Sequence, residues 1–236
     1  LTTIRGLSAE AVKQGRTHKV IIMVEMGDLR EGVLGEALGD FYAKVFELPG
    51  IEIIGIGTNL NCLNGVMPST DKLIQLSLYE QLIEARFNKT IPWVSGGTTV
   101  ALPLLLSKQL PHGINHFRVG EALFFGADLF NGGTLPGMND EVFKLFTEVI
   151  ELYEKPVVPT GERMENPSGR KAKFSAADRG RSTYRAIIDV GLLDVQPGFL
   201  IPDDDRVKVI EASSDMLVVD LGESSQNYKV SDVMTF

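Results

Sequence analysis

Val94-Ser-Gly-Gly-Thr-Thr99 decides the fold of this chain, together with Ile114-Asn-His-Phe-Arg-Val-Gly-Glu121. In each stretch a short apolar strand runs into glycine, and a helical pattern of residues follows. Glycine permits a close approach to the backbone, and the bare N–H groups of such turns can bind an anion. A strand–helix alternation with a phosphate site in its last two strand-to-helix loops is typical of a parallel α/β barrel. The two stretches therefore predict a barrel-type fold with a phosphate-binding cup.

The composition is that of a globular protein that acts on small molecules. The chain has 236 residues, 44% of them hydrophobic, which is enough for one large domain or two modest ones. A net charge of −8 argues against nucleic-acid and anionic-membrane partners. The single cysteine, Cys62, excludes an internal disulfide framework and suits a reducing compartment. We therefore predict a cytoplasmic protein with a small-molecule partner and without a nucleic-acid, membrane or metal partner.

The first part of the chain alternates between helical and strand patterns. After a starting helix over residues 1–15, the predicted elements are the strand 19–24, the helix 34–48, the strand 51–57, the helix 69–87, the strand 92–95, the helix 99–110 and the strand 114–119. A closed eight-stranded barrel needs ~250 residues, so four strand–helix units are about half of one. Residues 1–132 are thus predicted to form a partial TIM-type (β/α) barrel, about its last four units.

Beyond Gly132 the pattern becomes that of short strands separated by Pro, Gly, Asp and Ser. The predicted strands include 143–153, 186–190, 207–210 and 216–220. The polar stretch 161–181 has little periodicity and is predicted to be a long loop. We predict a mainly β domain over residues 139–236, incomplete at its C-terminal end.

Five motifs follow one another in an order that is specific, although each motif alone is weak. They are Val24-Glu-Met-Gly-Asp-Leu-Arg-Glu-Gly32, Gly57-Thr-Asn59, Ser95-Gly-Gly-Thr-Thr99, Phe117-Arg-Val-Gly-Glu121 and Glu211-Ala-Ser-Ser-Asp-Met-Leu-Val-Val-Asp-Leu-Gly222. Their order resembles that of the alanine racemase family of pyridoxal-phosphate enzymes, and of its ornithine-racemase-like branch. The resemblance implies an amino-acid racemase, which is an isomerase, with pyridoxal phosphate as cofactor in residues 1–132. It also implies a small amino-acid substrate and a homodimer.

The resemblance implies a Schiff-base lysine, and no lysine of this chain lies at the matching position. In the family, the lysine that forms the Schiff base with the cofactor ends the first barrel strand, upstream of anything in this sequence. Lys19 lies at the start of its strand, opposite the end where barrel chemistry collects, so we interpret it as a strand-entry charge. Cleavage, loss or a separate chain would each account for the missing lysine. We therefore expect a fragment that lacks an N-terminal segment and is inactive by itself.

The resemblance assigns the cofactor-binding residues of the cup one at a time. Thr99, with Thr98 before it, matches the family's phosphate-binding hydroxyl at a helix start. Gly120 and Glu121 match positions whose backbone N–H groups hold the phosphate. Arg118 matches an arginine that donates a hydrogen bond to the pyridine nitrogen, and because a guanidinium is never an acceptor that nitrogen stays unprotonated. A plain helix cap, a turn glycine and a salt-bridged arginine remain the structural alternatives.

Two further cofactor residues come from the preceding strands. Arg30 resembles the family arginine that reaches the phenolic oxygen of the cofactor and the substrate carboxylate. Asn59 falls where many members place a histidine stacked on the cofactor ring. The chain departs from alanine racemases at Met23 and Glu25, where those enzymes have a modified lysine and an aspartate.

The catalytic bases are unknown from the sequence. Alanine racemases use a tyrosine of the neighbouring subunit as the second base, and Leu192 takes its place here. Racemisation by two bases needs a titratable group on each side of the α-carbon. The candidate substitutes are Tyr184, Asp189 and Asp194, whereas His112 and His116 are interpreted as structural.

Two other functions stay open. One is a non-catalytic pyridoxal-phosphate-binding protein of the same barrel type. Such proteins usually lack a β domain, so residues 187–236 weigh against it. The other is a barrel that binds a different phosphate ester.

Overall fold

The apolar runs of the first half of the chain form a four-stranded parallel sheet in the order β2-β1-β3-β4. In this computed structural model, which describes residues 1–166, 169 and 171–236, the strands are β1 (His18–Glu25), β2 (Val33–Leu34), β3 (Ile51–Gly57) and β4 (Trp93–Ser95). The strands are continuous apolar runs because helices cover a parallel sheet. All four carboxyl ends lie at one edge of this sheet.

Five α-helices accompany the parallel sheet: α1 (Thr2–Lys13), α2 (Leu38–Phe46), α3 (Thr70–Phe87), α4 (Leu102–Leu106) and α5 (Glu121–Phe125). The longest, α3, begins where the Ser69 hydroxyl accepts a hydrogen bond from the Lys72 amide at 3.3 Å. It ends at Asn88, which adopts the left-handed conformation that terminates helices. These two local signals explain why the sequence predicted its bounds well.

The core of this unit lies between the helices and the sheet. Its fully buried side chains include Tyr42, Ile56, Leu73, Leu76 and Ile83. They come from α2, β3 and α3, so burial of apolar surface attaches these elements to one another.

Some predicted elements differ from the structure. The strand predicted over 114–119 is wrong, because only an isolated bridge joins His116 to Ser95. At the start of this segment the side chain of Asn115 takes the place of backbone pairing: it accepts from the Val94 amide at 2.8 Å and donates to the Pro92 carbonyl at 2.8 Å. A few backbone bonds follow, such as the one from the Gly96 amide to the His116 carbonyl at 3.0 Å.

Two predicted helices are also shorter than expected. The one predicted over 34–48 starts only after β2 and a 3₁₀ turn, Gly35–Ala37. The one predicted over 99–110 is a 3₁₀ turn, Thr99–Ala101, followed by α4. The Ser107 hydroxyl donates to the Pro103 carbonyl at 2.8 Å and helps to end this helix.

The second half of the chain forms an antiparallel sheet in the order β7-β8-β6-β5-β9. Its strands are β5 (Phe146–Pro156), β6 (Ser182–Ile188), β7 (Lys208–Ala212), β8 (Leu217–Asp220) and β9 (Val233–Thr235). A separate core lies beneath it, with Val149, Ile188 and Leu217 fully buried. The chain thus divides into two units, Leu1–Phe143 and Lys144–Phe236.

The predicted loop 161–181 contains one short element in the described residues. It is a 3₁₀ turn, Ala176–Asp178, which Ser175 and Asp178 close with a capping box. The part of the prediction that falls on residues 167, 168 and 170 lies outside the described residues. None of the described helices is both long enough and apolar enough to cross a bilayer.

Candidate functional site

Arg118 is anchored across the carboxyl ends of two neighbouring strands. Its Nη2 donates to the carbonyl of Thr58, just after β3, at 2.8 Å, and its Nη1 donates to the hydroxyl of Ser95, the last residue of β4. Its backbone amide donates to the Gly97 carbonyl at 2.9 Å. Burial lowers the pKa of Arg118, and the negative charge of Glu31 opposes that effect. The guanidinium is therefore directed inward at the edge where barrel chemistry collects.

Close approach of β3 and β4 is needed for this arrangement. Gly57 lies opposite Ser95 in the parallel register. A Cβ atom on Gly57 would come within 2.9 Å of the Ser95 Cβ. Glycine therefore leaves the room in which Ser95 reaches Arg118.

The two loops that the sequence predicted as one cup are joined by Thr99. This residue is 1% exposed, and its hydroxyl accepts a hydrogen bond from the Ala122 amide at 3.1 Å. The alternative of Thr99 as a plain cap of the helix that it opens does not hold, because the capping residue there is Thr98, which makes no side-chain cap bond. Thr99 instead connects the loop after β4 to the first turn of α5.

Gly120 and Glu121 open α5 on the other side of the cup. Gly120 is the capping residue and Glu121 the first residue of the helix, with its side chain exposed. The amide of a first helical residue has no acceptor within its own helix. No described atom lies within 4 Å of where a Gly120 Cβ would be, apart from its chain neighbours. The cup is therefore open beside Gly120.

Arg30 and Asn59 meet on Glu31, which sequence reasoning did not assign. Arg30 donates to the Glu31 carboxylate from Nε and, at 2.7 Å, from Nη2. Asn59 Nδ2 donates to the same carboxylate at 3.3 Å. The hydrogen bonds from Arg30 hold the pKa of Glu31 below its usual value, although burial opposes them, and the charge of Arg118 contributes in the same direction. The carboxylate of Glu31 is thus influenced by the positive charges of Arg30 and Arg118. In the sequence, only the position of Glu31 next to Arg30 could have indicated this role.

A buried carboxylate holds the segment that follows Asn59. Asp28 is 1% exposed and accepts hydrogen bonds from the amides of Cys62, Leu63, Asn64 and Val66 at 2.9 to 3.2 Å. The side chain of Asn59 also lies 3.1 Å from the Cys62 sulfur. Asp28 thus ties the loop after β1 to the loop after β3.

The other residues considered from the sequence differ in their relation to this cluster. Lys19 is exposed near the amino end of β1, and His112 is exposed as well. His116, interpreted as structural, contacts Ser95 through its ring. Ser95 and Thr58, which anchor Arg118, were not assigned from the sequence.

The candidate bases of the β unit occupy ordinary positions in that unit. The Asp194 carboxylate accepts from the Gly191 amide at 3.0 Å and so closes a turn. Asp189 and Leu192 are exposed, and Tyr184 lies on β6.

The chain is similar in sequence to curated amino-acid racemases. It is 39% identical over 237 residues to an ornithine racemase of Acetoanaerobium sticklandii, covering 100% of this chain and 66% of that protein. It is 39% identical over 221 residues to a lysine racemase of Thermotoga maritima, covering 94% of this chain and 60% of that protein. The chain thus spans just under two thirds of the length of these relatives.

Solved structures share its fold. A D-threonine aldolase of Filomicrobium marinum matches with a TM-score of 0.62 at 16% identity, covering 98% of this chain and 58% of that one. An alanine racemase of Bartonella henselae with covalently bound pyridoxal phosphate matches with a TM-score of 0.58 at 18% identity, covering 100% of this chain and 62% of that one. The predicted fold class, a partial barrel followed by a β domain, is confirmed.

A match to a family model shows to which family the chain belongs. Residues 1–128, more than half of the chain, match the model described as "Alanine racemase, N-terminal domain". The matched region contains Arg30, Asn59, Thr99, Arg118 and Glu121. The chain belongs to the alanine racemase family.

Proposed function

We propose that this chain binds pyridoxal phosphate and holds it for an amino-acid racemase. Members of the alanine racemase family use this cofactor. The observation that carries the proposal is Arg118, whose guanidinium is held between Ser95 and the Thr58 carbonyl beside the two joined loops.

The residues present fit the cofactor. Arg118 offers five N–H donors, and its contacts with Ser95 and Thr58 use two of them. Asn59 Oδ1 is a buried oxygen without a hydrogen-bond partner among the described residues. The space beside Gly120 is open to an incoming group. Unused polar groups and open space at one edge of the sheet are what a bound ligand requires.

Each residue of the cup would hold a different part of the cofactor. The hydroxyls of Thr98 and Thr99 and the amides of Gly120 and Glu121 would hold the phosphate group. Arg118 would donate to the pyridine nitrogen and keep it unprotonated, because a guanidinium cannot accept a hydrogen bond from a protonated ring nitrogen. When bound, pyridoxal phosphate supplies an electron sink for the α-carbon of an amino acid.

The substrate carboxylate would bind at Arg30. A guanidinium can bind a carboxylate through two parallel N–H donors, and because Nε and Nη2 of Arg30 donate to Glu31, the side that remains for the substrate is formed by Nη1 and the second hydrogen of Nη2. The relatives are an ornithine and a lysine racemase, so we propose a basic amino acid as substrate. We further propose a homodimer in the cytoplasm, in keeping with the resemblance and with the single cysteine.

The test is a titration of the purified chain with pyridoxal phosphate, in which the absorbance of the cofactor measures binding. Arg118→Ala combined with Thr99→Ala should weaken binding roughly tenfold or more, since a hydrogen bond to a charged group contributes about 1.5–3 kcal/mol. Arg5→Ala, on the exposed surface of α1, is the matched control and should bind as wild type does. Unchanged affinity in the double variant would reject this site.

The same titration separates the alternatives. A barrel that takes another phosphate ester would bind inorganic phosphate and show no cofactor band. A non-catalytic pyridoxal-phosphate-binding protein would show the band, but added ornithine or lysine would not alter it.

A further inference from the structure

His116 has a fixed position beside the Arg118 anchor. Its ring stacks on Trp93, with centroids 4.9 Å apart and planes inclined by 10°. Its backbone amide donates to the Val94 carbonyl at 3.3 Å, and its carbonyl accepts from the Gly96 amide at 3.0 Å. Stacking and backbone bonds together hold the ring in one orientation.

The ring reaches a hydroxyl that also contacts Arg118. His116 Nδ1 lies 2.9 Å from Ser95 Oγ, and the same oxygen accepts from Arg118 Nη1. Ser95 is 0% exposed, so water has no access to replace either partner. The hydroxyl is therefore a buried bridge between imidazole and guanidinium.

A serine hydroxyl carries one hydrogen and two lone pairs. When one lone pair accepts from Arg118, the hydrogen is free to be donated to Nδ1 of His116. A hydroxyl that donates becomes a better acceptor, because hydrogen bonds in a chain polarise one another. Without His116 the hydroxyl hydrogen loses the acceptor that Nδ1 supplies, so the lone pair that faces Arg118 Nη1 is less well oriented, whereas the bond from Arg118 to the Thr58 carbonyl is unchanged.

We propose that His116 is a positioning residue, which acts through Ser95 to orient the Arg118 guanidinium toward the ring nitrogen of pyridoxal phosphate. The proposal rests on the proposed function of the site. His116 itself touches neither the cofactor nor the substrate in this assignment.

Two variants of His116 separate hydrogen bonding from packing. His116→Phe keeps an aromatic ring on Trp93 but removes Nδ1, and His116→Asn removes the ring but keeps a polar atom close to the position of Nδ1. Because Trp93 is the only tryptophan of the chain, its fluorescence shows whether the stack survives in His116→Phe. His112→Phe, at an exposed histidine, is the matched control.

Affinity and the absorption maximum of bound pyridoxal phosphate are the first readouts. We expect His116→Phe to raise the dissociation constant three- to tenfold and to shift the maximum, and His116→Asn to restore both. Ser95→Ala should have the same effect as His116→Phe, and the double variant should be no worse than either single one. Wild-type binding and spectrum in His116→Phe, or additive losses in the double variant, would overturn the proposal.

Nitrogen-15 NMR of the Arg118 side chain, without cofactor, is an independent readout. In the wild type the Arg118 side chain should give separate N–H signals, because rotation of the guanidinium is restricted. These signals should average in His116→Phe and become separate again in His116→Asn. If the wild type binds no pyridoxal phosphate, the proposed function fails, and unchanged Arg118 signals would separately refute the coupling. If the wild type binds the cofactor but the Arg118 signals are identical in both variants, the coupling is refuted and the proposed function stands.

Discussion

Asp28 illustrates how a single buried carboxylate organises a site at the residue scale. It accepts four backbone N–H bonds from residues 62–66, and the Asn64 side chain donates to its carbonyl at 2.7 Å. Burial raises the pKa of Asp28, but the four N–H bonds together outweigh burial and leave it below the usual value. The charged form is therefore the one that the fold stabilises.

The pH dependence of Asp28 follows from that sign. A lowered folded-state pKa stabilises the fold above the unfolded value of about 3.9, and this contribution is lost as the pH falls through the lower folded value. Asp28→Asn should lower the midpoint of urea unfolding at pH 7 and remove this acid-sensitive component. Urea titrations between pH 2.5 and 7 measure both effects, with Glu52→Gln, an exposed carboxylate, as control. Equal pH profiles in Asp28→Asn and the wild type would contradict the assignment.

The buried hydroxyl of Thr99 contributes to stability through its hydrogen bond with the Ala122 amide. Thr99→Val keeps the shape of the side chain but removes the acceptor of the buried Ala122 amide. An unsatisfied buried N–H costs about 1–3 kcal/mol, so the free energy of unfolding should fall by that amount. Chemical denaturation measures the change, and Thr99→Ser, which keeps the hydroxyl, should lose much less. A Thr99→Val variant as stable as the wild type would show that the bond contributes nothing.

At the scale of the element, α3 connects local signals to the parallel sheet. The Glu84 carboxylate accepts from the Ile91 amide at 2.6 Å, just before β4. Glu80 lies one turn earlier on the same face. Burial, the charge of Glu84 and the hydrogen bond between the two side chains together raise the pKa of Glu80 to about 7. Burial and the neighbouring Glu84 therefore favour the protonated form of Glu80.

Glu80→Gln should change the pH dependence of stability. A raised folded-state pKa contributes stability that is complete below the unfolded value of about 4.3 and is lost as the pH rises through about 7. The variant should lose this decline and be more stable than the wild type at pH 8. Thermal unfolding at intervals from pH 4.5 to 8 measures the slope, and Glu36→Gln, at an exposed position, is the control. A variant that declines as steeply as the wild type would refute the role of Glu80.

At the scale of the whole molecule, several large apolar side chains of residues 121–143 remain exposed. The ring of Phe143 contacts those of Phe124 and Phe125, and Phe124, Phe125 and Phe143 are 51%, 51% and 56% exposed. Leu123 beside them is 63% exposed. Grouped exposed apolar side chains of this kind mark interaction sites or cause association.

The chain should therefore self-associate through this cluster. We expect the mass measured by light scattering to rise with concentration above that of one chain. Phe124→Ser combined with Phe143→Ser should shift the mass toward the monomer, whereas Val12→Ser, 54% exposed on α1, should not. A monodisperse monomer at every concentration would contradict this expectation.

Local sequence patterns predicted the elements whose signals are local. The bounds of β3 were predicted to the residue, and those of α3 within one residue, because an apolar run and a pair of caps are written in neighbouring residues. The strand predicted over 114–119 was wrong, because only one bridge forms and the Asn115 side chain, rather than a backbone group, satisfies the Val94 amide. A pattern of apolar residues cannot show which group satisfies a backbone amide.

The family and the barrel-type fold could be predicted from the chain alone, since a motif order and a period of apolar residues are properties of the sequence, and the same motifs assigned Arg118 and Thr99 to the candidate site. Only the tertiary structure decided that Glu31 joins Arg30 to Asn59, that Thr99 connects two loops rather than capping a helix, and that Ser95 lies between Arg118 and His116. Parallel strands bring residues distant in the chain to one edge of the sheet. Hydrogen bonds form between groups that meet in space, so their partners depend on that packing.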